Sequence, residues 1–509
     1  MLIQTGKAEG WLHLDVDSVK TWATTSGIKF SNASPKVIPG RGIGLVTDRS
    51  LSTRERGKPW EILAVAEDLV LSVEAVKKHA LFDKDFREVY DGLGDFGKTP
   101  RGAILSFLLF QASISCPHLH ERFGVRSPFT DYVKTLPCEL LPTFWTPAEL
   151  QLLVGTTLAP AVSSKLKSLR REYDLLCERA ANTRWFQIVE SILDFDDWLQ
   201  VDAMFRSRAL DFYGSCMIPG MDLASHAAGE RTNAFYDRAD GQYYLWLLED
   251  KELQEGEEIT ITYGDEKGAC EMLFSYGFLE EHMEKAETLF LSLSIPEDDP
   301  SRAAKMKVAE CAPGFKIIDV SEQEQPNLQE ESRTNANQTG DASAEPEHSG
   351  EIDWKGDFVW LLCITEEDGL RFKIARTIDG EEELQATFHD HELKAGAADL
   401  RRLLSQTPLW PVYRLRAIVL LQQRVFDQLQ VLFQSQEDLQ ETPHGEGTEV
   451  REAPYQQAMK LRRLEFELLE KAYEDFERQK VELAESPVVQ QYLANMNEEQ
   501  QPGPEEDFS

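Results

Sequence analysis

Hydrophobic positions change their spacing along the chain and divide it into strand-rich and helix-rich stretches. Between residues 26 and 75, β-forming residues alternate or cluster around Gly and Pro, as in Gly27–Phe30 and Gly42–Thr47. This pattern predicts short strands joined by turns. Glu61–Val76 fits either a strand or a helix; we interpret Glu61–Ser72 as strand-rich, with Ser72 as the N-cap of a helix that follows.

From about residue 80 to residue 212 the spacing becomes helical. Arg101–Ala112 is predicted to be a buried helix, and Ser163–Ala180 an amphipathic helix with its apolar side chains on one side. Thr146–Thr156 begins with a capping residue followed by proline, and Phe195–Phe212 has a capped start and an apolar stripe. This stretch therefore predicts a helical insertion.

Strand patterns return after the insertion, at Tyr243–Leu248 and Glu258–Tyr263, with turn residues between them. Because strand patterns lie on both sides of the insertion, the two halves of one sheet are expected to be far apart in sequence. The expected fold class is α+β, with a β-rich part that encloses helices.

The last third of the chain has a different pattern. Ser321–Gly350 contains almost no apolar residues, which predicts a disordered loop. The apolar runs Phe358–Thr365 and Arg371–Thr377 are interpreted as a pair of strands. Pro411–Phe433 and Pro454–Leu483 are predicted to be long amphipathic helices, so a mostly α-helical C-terminal domain is expected.

Charge narrows the classes of partner. The chain carries 89 acidic and 53 basic residues, a formal net charge of −36. A field of this sign repels phosphate backbones, so no nucleic-acid partner is expected, and a basic protein is favoured instead. No apolar stretch approaches the length of about 20 residues that spans a membrane, and the first residues lack the pattern of a secretory signal, so no membrane partner is expected.

The cysteines indicate a reducing compartment. Seven cysteines are widely spaced, and no C-x-x-C motif is present. This usage is typical of free thiols in the cytoplasm or nucleus and argues against a cysteine-rich zinc cluster.

The segment Met217–Gly229, "MIPGMDLASHAAG", carries the clearest candidate chemistry. Asp222 and His226 are four residues apart and on a helix could share a metal ion, although no third ligand is evident. Ser225 beside His226 has the composition of a nucleophile with its base, but no G-x-S-x-G motif surrounds it. A polar turn with a partly buried His226 explains the same residues without any chemistry.

Two other features of the sequence are candidates for a functional role. Gly40–Thr47, "GRGIGLVT", places closely spaced glycines between strands, where a backbone can make a tight turn or approach a ligand. No helix follows it in a βαβ unit, so a dinucleotide-binding fold is a poor match. Tyr263 and Tyr276 each precede a glycine, and they lie 13 residues apart.

Taken in chain order, these motifs resemble the SET-domain methyltransferases, in particular the branch typified by the Rubisco large-subunit lysine methyltransferase. The resemblance lies between about residues 25 and 282. The segments that carry it are Gly40–Val46, Ser127–Pro137, Glu149–Thr156, Arg206–Leu210, Ile218–Gly229, Gly256–Gly264 and Glu271–Phe278.

The resemblance implies a domain organisation. Residues 1–282 are expected to form a β-rich SET fold with a helical insertion at about 80–212. Residues 283–500 are expected to form a helical domain similar to the branch's substrate-binding domain, with a disordered loop at 321–350, and residues 501–509 a tail.

The resemblance also implies an activity. It indicates a protein-lysine N-methyltransferase that uses S-adenosyl-L-methionine and acts on a non-histone protein, such as a ribosomal or other basic protein. Histidine is an alternative target within this branch. A SET-fold binding module with reduced or lost catalysis is the alternative function.

The resemblance assigns roles to individual residues. Tyr263 matches the catalytic tyrosine nearest the transferring methyl group, and Asp222 and Tyr236 match substrate-side positions. The positions that match cofactor-binding residues are Arg41, Gly42, Ile43, Arg208, Ser225, His226, Tyr276 and Phe278. Tyr276 and Phe278 also match the aromatic pair that walls the lysine channel.

The sequence departs from the branch at Ser225. Ser225 and His226 match an Asn-His pair of the branch, so serine here stands where the branch has asparagine. Asparagine offers an amide donor and a carbonyl acceptor, whereas serine is shorter and reaches less far. A lost hydrogen bond to a charged ligand would cost about 1.5–3 kcal/mol. The substitution is therefore the main reason to keep the binding-module alternative.

Overall fold

The computed structural model describes residues 1–53, 59–212, 214–264, 267–321, 351–376, 382–441 and 450–499. Its α-helices, numbered in chain order, are α1 (Leu2–Ala8), α2 (Val16–Ser26), α3 (Val73–Phe82), α4 (Lys84–Gly92), α5 (Gly94–Lys98), α6 (Pro100–Ile114), α7 (Pro128–Thr135), α8 (Pro147–Gln151), α9 (Leu158–Ala180), α10 (Arg184–Val189), α11 (Phe195–Arg208), α12 (Ala269–Tyr276), α13 (Arg302–Val308), α14 (Phe358–Cys363), α15 (Gly396–Ser405), α16 (Trp410–Glu441), α17 (Glu452–Ala484) and α18 (Pro487–Glu499).

The strands are short, and several have only two residues. They are β1 (Lys29–Phe30), β2 (Ala33–Ile38), β3 (Gly42–Thr47), β4 (Leu51–Ser52), β5 (Glu61–Ala66), β6 (Leu210–Asp211), β7 (Ser215–Cys216), β8 (Ser225–His226), β9 (Ala234–Ala239), β10 (Gln242–Leu247), β11 (Glu252–Leu253), β12 (Thr260–Ile261), β13 (Thr288–Ser292), β14 (Gly314–Asp319), β15 (Ile352–Lys355), β16 (Leu370–Arg376), β17 (Glu382–Phe388) and β18 (His391–Glu392).

The chain divides into two compact units. Unit 1 contains Met1–Pro147, Pro160–Lys267 and Glu271–Glu280. Unit 2 contains Ala148–Ala159, Gly268–Cys270 and the chain from Glu281 onward. Ala148–Ala159, which the sequence placed inside the helical insertion, therefore packs with unit 2.

Unit 1 contains an antiparallel sheet in the order β1-β5-β10-β9, together with smaller strand pairs. In β10 the side chains alternate, so that Tyr243, Leu245 and Leu247 are buried while Tyr244 and Trp246 lie on the other face. Asp240 and Gly241 join β9 to β10 with φ of +52° and +70°, the conformation that favours Gly and Asp in a two-residue hairpin turn. Strands from both sides of the insertion thus share one sheet, as the sequence predicted.

The helices α3 to α7 and α9 to α11 enclose a second apolar core in unit 1. Helix α6 is buried along nearly its whole length, which confirms the buried helix predicted at Arg101–Ala112. It begins where the Thr99 hydroxyl accepts a hydrogen bond from the Gly102 N–H and Pro100 occupies the first turn. Aromatic side chains then fill the space between α6 and its neighbours, as in the contact of Phe107 with Phe86.

Helix α11 is fixed by buried charges. Asp194 and Asp197 form a capping box at its start. Near its end, the fully buried Asp202 pairs with Arg101 at 2.6 Å, Lys165 at 3.0 Å and Arg206 at 3.3 Å. Because an unpaired buried carboxylate is costly, these pairs hold α11 in one position.

The end of α11 differs from the prediction. The helix was expected to continue to Phe212, but it ends at Arg208, and Leu210–Asp211 forms strand β6 with β7. The short two-residue pairing turns the chain towards the segment that contains Ser225.

Unit 2 contains two three-stranded antiparallel sheets and helices α13 to α18. The strand predicted at Phe358–Thr365 is wrong, because Phe358–Cys363 forms helix α14 with five of its six residues buried. The second predicted strand is confirmed as β16, and its partner is Glu382–Phe388. The predicted helices at Pro411–Phe433 and Pro454–Leu483 lie within α16 and α17.

Two predictions fall outside the described residues. These are the disordered loop at 321–350, of which Ser321 alone is described, and the tail at 501–509.

Charged side chains of unit 2 hold Ala148–Ala159 against α17 and the residue before it. The carboxylate of Glu149, fully buried, accepts two hydrogen bonds from the guanidinium of Arg451. Arg462 donates to the carbonyls of Leu152 and Val154. Further along α17, the fully buried Glu465 accepts hydrogen bonds from its neighbour on the segment, Thr157.

Glu465 makes the stability of unit 2 depend on pH. Burial raises the pKa of its carboxyl from 4.5 to about 7, against the smaller opposing effects of Thr157 and Arg462. The folded protein therefore binds this proton more tightly than the unfolded chain, so the stability contributed by Glu465 falls as pH rises from about 4.5 to about 7.

We predict that Glu465→Gln removes this loss. Between pH 5 and pH 8 the unfolding free energy of the wild type should fall by about 1–3 kcal/mol more than that of the variant, as measured by urea unfolding. The control is Glu467→Gln, at a carboxylate on the same helix that is 49% exposed. Equal pH dependence in wild type and Glu465→Gln would contradict the prediction.

Candidate functional site

The site is organised by two strands that lie side by side and run in the same direction. In the pairing of β8 with β12, Ser225 lies opposite Thr260 and His226 opposite Ile261. The Ala227 N–H extends the pairing by donating to the Ile261 carbonyl at 3.0 Å. This brings the Ser-His pair next to the chain that leads into Tyr263.

Asn233, which lies outside the two strands, stabilises the pairing of β8 with β12. Its side-chain oxygen accepts from the Thr260 N–H, and its amide donates to the Glu258 carbonyl, both at 2.9 Å. The segment Glu258–Ile261 also pairs with β3, where the Ile259 N–H donates to the Leu45 carbonyl at 2.8 Å. One short segment therefore joins the glycine-rich hairpin to the Ser-His strand.

Tyr263 is held by both its backbone and its side chain. Its N–H donates to His226 Nδ1 at 3.0 Å, and its hydroxyl donates to the Ala224 carbonyl at 3.0 Å. Because Nδ1 accepts, a neutral His226 carries its proton on Nε2, which faces Glu280 at 3.8 Å. Burial raises the pKa of the Tyr263 phenol to about 12.

Three tyrosines, Tyr236, Tyr263 and Tyr276, form what we call the tyrosine cluster. The ring centroids of Tyr263 and Tyr276 are 4.6 Å apart. Lys267 Nζ donates to the Tyr263 carbonyl and to the Tyr276 hydroxyl, each at 2.6 Å. Burial raises the pKa of Tyr276 to about 12. Burial also raises the pKa of Tyr236, and the charge of Lys267 opposes this rise. Phe278 lies 6.3 Å from His226, ring to ring.

Arg208 lies at the end of α11 among acceptors from its own chain. Its Nε donates to Glu139 at 3.1 Å, and its Nη1 donates to the Asp222 carbonyl at 2.6 Å. Burial disfavours its charge, yet Glu139 and Asp222 together hold the pKa of the guanidinium above its ordinary value. Nη2 also lies 3.1 Å from Glu139, so the charge of this cation is compensated within unit 1.

Asp222, which the sequence predicts to be a substrate-side residue, lies next to Arg208. Its side chain is 2% exposed, and its carboxylate accepts from the Tyr132 hydroxyl at 2.8 Å and the Gly220 N–H at 2.9 Å. Burial raises the pKa of this carboxyl, and Arg208 opposes the rise. Asp222 therefore supports Arg208 within the protein, and its assignment to the substrate side stays a prediction.

The glycine-rich segment forms the turn between β2 and β3. Gly40 and Gly42 have φ of +75° and +85°, a conformation that residues with a side chain rarely adopt. Arg41 projects from this turn and pairs with Glu258 at 3.2 Å, and Ile43 packs against the strand-rich core. The turn therefore lies against the segment that leads to Tyr263.

A cavity of about 300 Å³ lies beside these elements. Its lining includes Arg41 from the turn, His226 from β8, Thr260 from β12, and the carboxylates of Glu258 and Glu280. This volume is at the lower end of the range for small-molecule sites, about 300–1,000 Å³. His226 joins the cavity to the tyrosine cluster, because one side of its ring lines the cavity while Nδ1 binds Tyr263.

Two of the local alternatives, a metal ion shared with Asp222 and a nucleophile with its base, lose their geometric basis. Asp222 lies in the 3₁₀ turn Met221–Leu223 and His226 in β8, so the two do not share a helix face. Within the described parts of the chain, no three His, Cys, Asp or Glu side chains come together to hold a metal ion. His226 Nδ1 is engaged by Tyr263, so this nitrogen does not face the Ser225 hydroxyl as a base.

Other residues of the site were not found in the sequence. Glu280, Glu139 and Lys267 contact the predicted residues His226, Arg208 and Tyr276 directly. Asn233 instead binds the backbone of Thr260 and Glu258, next to the predicted residues. Lys267 follows Tyr263 by four positions, and this spacing is the one signal that could have found it. The others act across long sequence separations, which no local pattern reveals.

Comparison with known proteins gives the same assignment of fold. The chain is 30% identical over 303 residues to SET domain-containing protein 8 of Schizosaccharomyces pombe, covering 57% of this chain and 60% of that protein. It is 25% identical over 290 residues to the fructose-bisphosphate aldolase-lysine N-methyltransferase of Arabidopsis thaliana, covering 55% and 54%. It is 25% identical over 301 residues to the actin-histidine N-methyltransferase of Xenopus tropicalis, covering 56% and 47%. The chain thus spans about half the length of the curated relatives it matches.

The solved structures cover nearly all of the chain. The SET domain of LSMT bound to methyl-lysine and AdoHcy matches with a TM-score of 0.61 at 19% identity, covering 96% of this chain and 97% of that one. Rubisco LSMT bound to AdoMet matches with a TM-score of 0.60 at the same identity and coverage. No family model matches the chain. The α+β SET fold predicted from the motifs is confirmed, and the chain has homologues among the SET-domain methyltransferases.

The position of Ser225 in the structure allows its effect on cofactor binding to be tested. Ser225 Oγ lies 3.5 Å from the place that a β-carbon on Gly44 would occupy, so this side chain faces the glycine-rich hairpin. We predict that Ser225→Asn binds S-adenosylmethionine about ten- to hundredfold more tightly than the wild type, because an amide reaches further and offers both a donor and an acceptor.

Isothermal titration of the full chain measures this difference. Ser225→Ala serves as the control for loss of the hydroxyl and should bind no more tightly than the wild type. An asparagine variant with wild-type affinity would show that Ser225 does not limit cofactor binding.

Proposed function

We propose that the chain is an S-adenosylmethionine-dependent protein-lysine N-methyltransferase that acts on a non-histone protein. The observation that carries this proposal is the position of Tyr263. Its hydroxyl is fixed on the Ala224 carbonyl, directly before Ser225 and His226 and among other aromatic rings. A phenol in this place can orient an amine beside a cofactor.

The residues present fit this cofactor. The glycine-rich turn brings Arg41 to the lining of the cavity, and the buried Arg208 is a cation of the kind that binds a carboxylate. Glu258 and Glu280, which line the cavity, offer carboxylates to an ammonium group. When bound, S-adenosylmethionine supplies an electrophilic methyl group on a cationic sulfur.

The residues of the chain would then act by position and electrostatics. With its pKa raised to about 12, Tyr263 keeps its proton at neutral pH, so it donates a hydrogen bond and is a poor general base. Aromatic side chains restrict water around the acceptor nitrogen. The rate gain would come mainly from proximity and from dipoles that are already in place.

The substrate proposed is a basic protein, which includes ribosomal proteins. The net charge of −36 favours such a partner. The relatives named above act on aldolase lysine and actin histidine, so both acceptor types occur among homologues. We favour lysine because the solved neighbours with this fold bind lysine and methyl-lysine. The free thiols are consistent with a cytoplasmic or nuclear location, which stays a prediction.

The experiment that tests the proposal is transfer of a labelled methyl group. The purified chain is incubated with methyl-labelled S-adenosylmethionine and cell extract, and labelled proteins are identified by mass spectrometry. Methylated lysine on a non-histone protein supports the proposal, and methylated histidine would change the acceptor. No label above that of a heat-treated sample would overturn it.

A binding module without catalysis is the second candidate. The serine at position 225 favours it, and so does Glu139, which already compensates the charge of Arg208. Cofactor binding without any methyl transfer, or transfer gained only by Ser225→Asn, would support this alternative.

The role of Tyr263 gives a separate prediction. Tyr263→Phe removes the hydroxyl that contacts Ala224 and should lower turnover by about ten- to hundredfold through misplacement of the acceptor. The affinity for S-adenosylmethionine should change little, as measured by titration. Tyr244→Phe is the matched control. Tyr244 lies on the less buried face of β10, where its ring stacks on Trp246 and not on a residue of the tyrosine cluster. Equal turnover in wild type and Tyr263→Phe would remove Tyr263 from the reaction.

A further inference from the structure

Lys267 brings a positive charge into the tyrosine cluster. Its Nζ donates to the carbonyl of Tyr263 and to the hydroxyl of Tyr276, each at 2.6 Å. The same ammonium lies 5.0 Å from the centroid of the Tyr276 ring. Two partners from different elements therefore hold this cation in one place.

The backbone before Lys267 is shaped to allow this position. Gly264 has φ of +136°, and the Lys267 N–H donates to its carbonyl at 3.3 Å. A β-carbon on Gly264 would lie 3.2 Å from Cδ and Cε of Lys267, closer than most real contacts. The absence of a side chain at Gly264 lets the lysine stem fold back towards the tyrosines.

The charged and titratable groups around Lys267 come from several elements. Tyr276 and Glu271 lie on α12, Tyr236 lies on β9, and the charge of Asp211 on β6 also acts on Tyr236. Asp265 and Glu266 precede Lys267 in the sequence and lie outside the described residues. The groups that contact the ammonium directly are the phenol of Tyr276 and a backbone carbonyl, which are neutral.

We propose that Lys267 is a positioning residue that holds a fixed positive charge beside the acceptor nitrogen and so favours the neutral amine. This inference rests on the proposed function, because it needs an amine acceptor at the tyrosine cluster. A lysine ammonium has an ordinary pKa of about 10.4 and must release a proton to water before its nitrogen can accept a methyl group. A like charge within about 6 Å disfavours the protonated form.

The effect on the acceptor is large enough to measure. Each unit by which the pKa of the acceptor amine falls increases its neutral fraction at pH 7 about tenfold. A purely structural role for Lys267, as a brace between Tyr263 and Tyr276, would change how tightly an amine binds and leave its protonation unaltered. The protonation state of a bound amine therefore separates the two roles.

The test uses L-lysine labelled with ¹³C at Cε, bound to the full chain in the presence of S-adenosylhomocysteine. Titration from pH 7 to pH 11, followed by NMR, reads the pKa of the bound amine from the Cε chemical shift. We expect a value at least about one unit below that of free lysine in the wild type, a tenfold change in proton affinity.

Variants at Lys267 identify the source of this shift. Lys267→Arg keeps the charge and should keep the lowered value. Lys267→Met should return the value towards that of free lysine by about one unit, and Lys267→Gln provides a second neutral variant that retains a hydrogen-bond donor. Equal values in the wild type and both neutral variants would overturn the inference and leave the proposed function standing. Failure of the wild-type complex to bind lysine at all would overturn the proposed function, and the inference with it.

Discussion

The parallel pairing of β8 with β12 is the constraint on which the rest of the site depends. Each strand has only two residues, and a pair this short is not stable alone. Asn233 supplies the missing support with two side-chain hydrogen bonds, and Tyr263 and His226 add a third across the strands. Because the pairing fixes the backbone on both sides, it places the Tyr263 phenol beside Ala224 and the Ser225 side chain beside the glycine-rich hairpin.

Buried charges around Arg208 supply the second layer of order. Burying ionised groups is costly unless each has partners, and such groups tend to stay where their partners lie. Glu139 and Asp222 meet this condition for Arg208, while Tyr132 and Gly220 do so for Asp222. The site is thus already polarised before any ligand enters. Such preorganisation is suited to a reaction driven by position and electrostatics.

The sequence predicted the fold better than it predicted the partners within the site. The buried helix at Arg101–Ala112 was recognisable because its composition and length admit no other element. Phe358–Cys363 was misassigned because a short apolar run fits a strand or a buried helix equally well. Motif order proposed Tyr263 and His226 as site residues, and the structure places them in contact. The contacts of Asp222 and of Lys267 arise from tertiary packing, which spacing alone does not encode.

The most direct test of the account is a crystal structure of the chain with S-adenosylhomocysteine. We predict that the ligand occupies the cavity lined by Arg41, His226 and Glu280, with its sulfur facing the hydroxyl of Tyr263 and its carboxylate at Arg208. Ligand bound elsewhere, or a sulfur turned away from the tyrosine cluster, would contradict the assignment of a methyl-transfer site at the pairing of β8 with β12.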